Sequence, residues 1–211
     1  IGIVASKIKE KYNKPTIIIS INNEDIGKAS CRSIPSFDIV DAISSCSENL
    51  IGYGGHPMAA GFSIVKSNIV KFIKEFSDYT KVHIKKENLI PKIIIDSKMK
   101  FSDISIRFLK FLDALEPFGP KNTRPIFMTA NVQVVGIPKV IGKNRDTIKF
   151  SVKQSKTNFE AIGFGLIEYF EYLVQNKPID IVYMIGENEW QGEKNIQLEI
   201  KDIKITESNN D

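Results

Sequence analysis

Residues 126–164 read IFMTANVQVVGIPKVIGKNRDTIKFSVKQSKTNFEAIGF, a succession of short β-branched or alternating runs separated by turn-forming residues. Such runs are typical of β-strands. With two similar runs further on, the expected strands are 126–135, 139–141, 147–152, 159–164, 179–185 and 196–205. One short helix, 166–174, interrupts them. This count favours a small barrel of the OB type, although an SH3-like barrel or a sandwich fits it too.

The residues before this stretch alternate between helical and extended patterns, which indicates a small α/β domain. The expected helices are 4–12, 38–46 and 68–79, and the expected strands are 16–21, 27–32 and 61–65, with a glycine-rich loop at 52–57. A strand at 92–97 and a helix at 102–115 follow. We therefore expect an α/β (α+β) domain at 1–85, an all-β OB-fold-like barrel domain at 86–205 and a frayed tail at 206–211.

The composition excludes several classes of protein. A chain of 211 residues with 42% hydrophobic and 26% charged residues is neither disordered nor collagen-like. No apolar run approaches the roughly 20 residues that span a bilayer. Two cysteines cannot form a disulfide framework or a four-ligand zinc site, so we expect a cytoplasmic protein. Because the apolar stretch IGIVASKI begins at Ile1, we expect the numbering to start inside a longer protein.

One basic segment is hidden by the small net charge of +4. Residues 139–156 contain six basic side chains against a single acid, Asp146. A phosphate backbone selects such a stripe, and the candidate nucleic-acid-binding residues are Lys139, Lys143, Arg145, Lys149 and Lys153. The nearby aromatic rings are candidates for base stacking, although phenylalanines at strand spacing are more often core: Phe150, Phe159 and Phe164. The alternative is a solvated hairpin edge, where lysine also prevents aggregation.

A first candidate phosphate site lies on the expected strand 27–32. Ser30 and Arg32 alternate along this strand and so share one face. A guanidinium flanked by hydroxyls, here those of Ser30 and Ser33, suits a terminal phosphate, which arginine grips with two hydrogen bonds. The alternative is an edge strand on which Arg32 forms a salt bridge.

A second candidate is the glycine-rich loop. Gly54 and Gly55 let the backbone approach a ligand closely, and His56 is placed to donate a hydrogen bond to a phosphate oxygen. The alternative is a tight turn with an exposed histidine. The sequence contains no P-loop, no dinucleotide fingerprint and no Asp and His cluster spaced as in a metal-ion hydrolase. It therefore predicts a protein that binds a phosphorylated ligand without a complete catalytic centre.

The sequence closely resembles the C-terminal half of the RecJ family, the single-strand-specific DNA exonucleases of the DHH phosphoesterase superfamily. The order and spacing of matching stretches across both expected domains carry this resemblance. The stretches are 1–8 (IGIVASKI), 27–38 (GKASCRSIPSFD), 54–61 (GGHPMAAG), 115–120 (LEPFGP), 161–165 (AIGFG), 188–190 (NEW) and 196–198 (IQL).

The resemblance implies a DHH-associated domain followed by the family's OB-fold domain. It implies an exonuclease of repair and recombination that degrades single-stranded DNA from its 5′ end, with Mn²⁺ or Mg²⁺ held by an N-terminal DHH domain. It further implies that Ser30 and Arg32 grip the 5′ phosphate, and that the Gly54-Gly55-His56 loop faces the metal site with His56 on the reacting phosphate. The implied partners are single-stranded DNA, a helicase and a single-strand-binding protein.

The family's metal ligands are expected upstream of Ile1. We therefore expect the 211 residues to bind no metal and to cleave no DNA by themselves. Two alternatives stay open. One is a standalone single-stranded nucleic-acid-binding module, and the other is a DHH-family phosphodiesterase that acts on short oligonucleotides or cyclic dinucleotides.

Overall fold

The structure is a computed structural model that describes residues 1–119, 121–190 and 192–205, without the side chains of Trp190 and Glu193. The expected tail at 206–211 and Pro120 of the LEPFGP stretch lie outside these residues. The chain divides into two compact units, Ile1–Lys92 and Ile93–Asp211. Within the described residues, no helix is both long and apolar enough to cross a lipid bilayer.

The first unit is a four-stranded antiparallel sheet with three helices. In chain order the elements are α1 (Gly2–Tyr12), β1 (Thr16–Ile21), β2 (Ile26–Arg32), α2 (Ile39–Ser44), β3 (Leu50–His56), β4 (Ala59–Val65) and α3 (Ile69–His83). The strands lie in the order β1-β2-β4-β3, and every neighbouring pair runs antiparallel, so the unit is of the α+β type.

One face of this sheet forms the core and the other carries polar side chains. Ala29 and Cys31 of β2 are buried, whereas Ser30 and Arg32 point to the opposite face because side chains alternate along a strand. Phe72 of α3 packs on the core face, with its ring 4.7 Å from that of Phe62 of β4. The polar face of β2 is thus held in place by a packed apolar layer behind it.

The glycine-rich segment predicted as a loop is a strand. Gly52 to His56 belong to β3, which pairs with β4 and is exposed along its outer edge. Glycine has a low strand propensity, so the local signal is weak, and pairing with β4 overrides it. The prediction of a loop at 52–57 was therefore wrong for all but Pro57.

The second unit is a closed five-stranded barrel. Its elements are β5 (Ser97–Lys98), α4 (Ile106–Asp113), β6 (Phe127–Ile141), β7 (Thr147–Gln154), β8 (Thr157–Phe164), α5 (Phe170–Leu173), β9 (Ile179–Trp190) and β10 (Glu193–Ile205). The barrel strands are adjacent in the order β6-β7-β8-β10-β9. Strand β9 pairs back onto β6, and β8 and β10 run parallel. This strand order, with a helix between β8 and β9, is an OB fold, which confirms the expected barrel.

Three predicted strands of this unit differ in the structure. The strand expected at 92–97 is confined to Ser97–Lys98, which runs parallel to Phe127 and Met128 of β6. The separate strands expected at 126–135 and 139–141 are one long strand, β6, whose pairing with β7 shifts between Val135 and Lys139. Such a shift is a β-bulge, which turn-like residues conceal in the sequence.

The apolar core of the barrel includes a hydrogen-bonded pair of polar side chains. Tyr183 of β9 is fully buried, and its hydroxyl lies 2.8 Å from Thr129 Oγ1 of β6. Burial raises the pKa of Tyr183 to about 12. Thr129 in turn donates to the carbonyl of Met99, so the buried hydroxyls are satisfied.

Candidate functional site

Arg32 is held in a fixed orientation on the polar face of β2. Its Nη1 donates to Ser30 Oγ at 3.2 Å and to the Cys31 carbonyl at 2.8 Å, and its Nε donates to Ser6 Oγ at 3.1 Å. No carboxylate of the described residues forms an ion pair with it, so the salt-bridged alternative does not apply there. The positive charge of the guanidinium is therefore not compensated by a carboxylate of the described residues, which suits an anionic ligand.

Helix α1 completes this site, and the sequence pattern missed its contribution. Ser6 orients Arg32, and Gly2, one turn earlier, lies against the same guanidinium. A Cβ on Gly2 would be 3.1 Å from Arg32 Nη2 and 3.4 Å from Ser30 Oγ. Residues four apart share a helix face, so a glycine and a serine at positions 2 and 6 were the sequence signal for a helix face that contacts a polar group.

The strand register brings His56 into line with Arg32. Arg32 of β2 pairs with Ala59 of β4, and Ala59 pairs with His56 of β3. Paired residues of an antiparallel sheet point to the same face, and two strand spacings separate the outer members by roughly 9–10 Å. The His56 side chain is exposed and has no hydrogen-bond partner among the described residues.

The next row of the sheet leaves the space beside these two side chains open. Ser30 pairs with Gly61, and Gly61 pairs with Gly54. The middle strand therefore presents only Ala59 and Gly61 between the two polar edges. A ligand can lie flat on this backbone while it contacts Arg32 at one side and His56 at the other.

The two glycines before His56 have different structural roles. Gly55 has φ +150°, and a Cβ there would lie 2.5 Å from the Ala59 carbonyl oxygen, so the close approach to β4 requires glycine. A Cβ on Gly54 would meet nothing within 4 Å. Gly54 is therefore the glycine whose side is open to a ligand.

Ser33 and Cys31 lie apart from this group. Ser33 is 1% exposed, and its hydroxyl donates to the Phe37 carbonyl, so it shapes the turn after β2 rather than facing the site. Cys31 is buried on the core face, and this burial raises the pKa of its thiol to about 12 against the smaller opposing effect of Arg32. We therefore leave both residues out of the site.

The donor set of the described residues does not fit a metal site. No three side chains of His, Cys, Asp or Glu within the described ranges are close enough together to hold an ion. The site of the first unit consists of one arginine, serine hydroxyls and one histidine. This set can bind and orient a phosphate group, but it does not hold a divalent metal.

The predicted basic residues lie along the β6–β7 hairpin and its turn. We call them the barrel cluster: Lys139, Lys143, Arg145, Lys149 and Lys153. Lys139 and Lys149 are register partners, and Lys143 and Arg145 lie in the turn that joins β6 to β7. Only Lys149 has an ion pair among the described residues, with Glu160 at 3.1 Å. Like charges opposite each other on a sheet repel, so the cluster favours an anion.

The three candidate aromatic rings have separate environments. Phe150 is 4% exposed and belongs to the barrel core. Phe159 packs edge-to-face on Phe101, at 5.2 Å between ring centroids. Phe164 is 59% exposed and pairs with Thr147, beside the turn that carries Lys143 and Arg145. Phe164 is thus the most exposed of the three rings.

Comparisons with known proteins find a matching domain family for each of the two units. Residues 1–82 match the DHHA1 domain and residues 95–202 match the RecJ OB domain. The single-stranded-DNA-specific exonuclease RecJ of Bacillus subtilis is 31% identical over 98% of this chain, which covers 26% of that protein. Structures of Thermus thermophilus RecJ in complex with Mn²⁺ and with Mg²⁺, 21% identical, superpose over 98% of this chain with TM-scores of 0.78 and 0.77 and are covered to 29% and 30%.

The two units are therefore a DHHA1 domain followed by an OB domain, and the described residues contain no group of three side chains that could hold a metal ion. The chain belongs to the RecJ family. It spans about a quarter of the length of the Bacillus relative.

Proposed function

We propose that this chain is the C-terminal part of a single-stranded-DNA-specific exonuclease of DNA repair and recombination, and that it supplies the binding of a 5′-phosphorylated single strand. The observation that carries this proposal is the guanidinium of Arg32, which is oriented by Ser6 and Ser30 and has no carboxylate partner in the described part of the chain. An oriented, unpaired arginine is suited to a terminal phosphate, which presents several oxygens at once.

In the proposed complex, Arg32 and Ser30 bind the 5′ phosphate and the first nucleotide lies over Ala59 and Gly61. His56 then donates a hydrogen bond to the following phosphate, the one that is attacked. The separation of Arg32 and His56 by two strand spacings supports this arrangement. It would select hydrolysis one nucleotide from the 5′ end, so the products would be mononucleotides.

The metal chemistry of the proposed enzyme belongs to a DHH domain outside these residues. There, Mn²⁺ or Mg²⁺ would supply an activated water and neutralise charge on the phosphate. Support comes from the metal ions of the Thermus relative and from the donor set of the described residues, which does not fit a metal. The contribution of this chain is to bind and orient the DNA.

The barrel cluster would hold the strand beyond the first nucleotides through its phosphates, with Phe164 stacking on one base. A helicase and a single-strand-binding protein are the proposed partners, because they supply and cover the single strands on which such an enzyme acts. Two reduced, buried cysteines suit the cytoplasm as its location.

The proposed 5′-end recognition is tested by fluorescence anisotropy with two oligonucleotides, one with a 5′ phosphate and one with a 5′ hydroxyl. We expect tighter binding of the phosphorylated strand and loss of this preference in Arg32→Ala. Lys28→Ala is the matched control, since Lys28 is an exposed cation on the same face of β2. Equal binding of both strands by the unaltered chain would contradict 5′-end recognition.

The same measurement distinguishes a second candidate, a module that binds single strands without reference to their ends. The barrel cluster favours this candidate, because basic side chains bind the phosphates of a strand whether or not its 5′ end is near. Equal, salt-sensitive binding of both oligonucleotides would support it. Preference for very short phosphorylated oligonucleotides would instead support a phosphodiesterase of short substrates.

A further inference from the structure

The bulge in β6 opens a pocket on the outer surface of the barrel. Val135 pairs with Ser151 and Lys139 pairs with Lys149, so three residues of β6 lie opposite Phe150 alone. The first of the three, Gly136, has φ +75° and turns the strand outward. The bulged segment thus stands away from β7 and leaves a gap over the sheet.

This gap has a volume of about 230 Å³ and two chemically different walls. The upper wall is apolar and exposed, since Val135 is 43% and Ile137 is 83% exposed. The floor is polar, with Ser151 and the ion pair of Lys149 and Glu160. The Ser151 hydroxyl has no hydrogen-bond partner within the described residues, so the floor offers an unused donor and acceptor.

The charge around the pocket indicates the occupant. Lys139 lies at the rim without an ion pair among the described residues, and Lys143 and Arg145 follow in the adjoining turn. A ligand that matches these surroundings is flat and apolar on its face, polar at its edge and joined to phosphates. A nucleobase in a single strand has all three properties, whereas an apolar peptide would leave the cations without partners.

We propose that this pocket, the bulge pocket, holds one nucleobase of a single strand. The base lies with its face against Ile137 and Val135 and with its edge towards Ser151, Lys149 and Glu160. Its neighbouring phosphate lies at Lys139. Glu160 is compatible with a nucleic acid there because Lys149 compensates its charge and because its oxygens can accept from an exocyclic amine. The inference rests on the proposed binding of single strands by the barrel.

The test compares a single strand that carries bases with an abasic strand of the same length, both titrated with salt. We expect Ile137→Ser to weaken binding of the base-containing strand about five- to tenfold. The affinity for the abasic strand and the dependence of both affinities on salt concentration should stay unchanged. Lys139→Ala should lower the slope of log affinity against log salt concentration by about 0.7 for both strands, which corresponds to the loss of one phosphate contact.

Val70→Ser is the matched control, since Val70 of α3 is 79% exposed and lies in the other unit. Ile137 is exposed, so its variant should fold, which a thermal unfolding curve checks. An equal loss on both strands, or no loss, would overturn the bulge pocket while leaving the proposed function in place. If the unaltered chain bound neither strand, the proposed role of the barrel would fail as well. If Ile137→Ser removed binding of a protein partner and not of DNA, the occupant would be a peptide, contrary to the proposal.

Discussion

Arg32 and His56 lie in one row of the antiparallel sheet, on either side of Ala59. The two residues are 24 positions apart in the chain, and they are brought together because β2 and β3 both pair with β4. The side chains share a face, and only alanine and glycine lie between them. The row therefore defines the direction and the length of a ligand that contacts both residues.

Loss of the Ser6 hydroxyl should impair recognition of the 5′ phosphate without impairing folding. Ser6→Ala removes the acceptor for Arg32 Nε, so the guanidinium gains freedom that it must lose again on binding. We expect the preference for a 5′-phosphorylated strand to fall roughly fivefold, about 1 kcal/mol, with binding of the 5′-hydroxyl strand unchanged. Ser6→Thr should restore the preference. Ser20→Ala, an exposed serine of β1, is the control, and an unchanged preference in Ser6→Ala would exclude the positioning role.

The two glycines of β3 should respond differently to alanine. Gly55→Ala places a Cβ against the β4 backbone at an unfavourable φ, and we expect it to lower the free energy of unfolding by about 2–3 kcal/mol. Gly54→Ala has free space, so its stability should change by less than about 0.5 kcal/mol. Urea unfolding of both variants measures the difference. Equal stabilities would mean that the close approach of β3 to β4 is absent in solution.

The turn of the barrel cluster should contribute charge rather than specificity. The double variant Lys143→Ala and Arg145→Ala should reduce the slope of log affinity against log salt by about 1.4 for a single strand. The ratio of affinities for 5′-phosphorylated and 5′-hydroxyl strands should stay unchanged. Lys177→Ala, a cation between α5 and β9, is the control and should leave the slope as it is. A double variant with an unaltered slope would place the strand elsewhere on the barrel.

The Cys31 thiol should be inert in the folded chain. Its pKa is raised from 9.0 to about 12, so folding favours the neutral thiol. The stabilisation is complete below pH 9 and is lost as the pH rises towards 12, because the unfolded chain ionises first. We expect no rapid reaction with a thiol reagent at pH 8, and two reacting thiols in denaturant. The decline of unfolding free energy between pH 8 and 10 should be smaller in Cys31→Ala, and a fast-reacting native thiol would contradict the burial.

The purified chain should release no nucleotides from single-stranded DNA when Mn²⁺ or Mg²⁺ is added, since the donor set of the described residues does not fit a metal. The measurement is release of label from a 5′-labelled oligonucleotide. His56→Ala is the control for contaminating nuclease, because a contaminant would act equally with either chain. Metal-dependent release that His56→Ala abolishes would show that these residues carry a catalytic centre.

The alternation of side chains along β2 was enough to place Ser30 and Arg32 on one face, and the periodicity of α3 was enough to predict a helix. Ser33 shows the limit of this reasoning. It lies next to Arg32 in the sequence, but the chain turns after β2 and buries it. Proximity in the sequence therefore did not place the Ser33 side chain on the same face as that of Arg32.

The sequence by itself determined most of the helices and strands, where the basic residues concentrate and which side chains suit a phosphate. These properties depend on periods of two or 3.6 residues and on composition, so they are local. Only the tertiary structure decided that the glycine-rich segment is a strand, that Ser6 orients Arg32, that His56 joins the same row and that a bulge opens a pocket beside Lys139. Each of these depends on the register of strand pairs or on packing between distant segments, and a one-residue slip would send the same side chains to the opposite face.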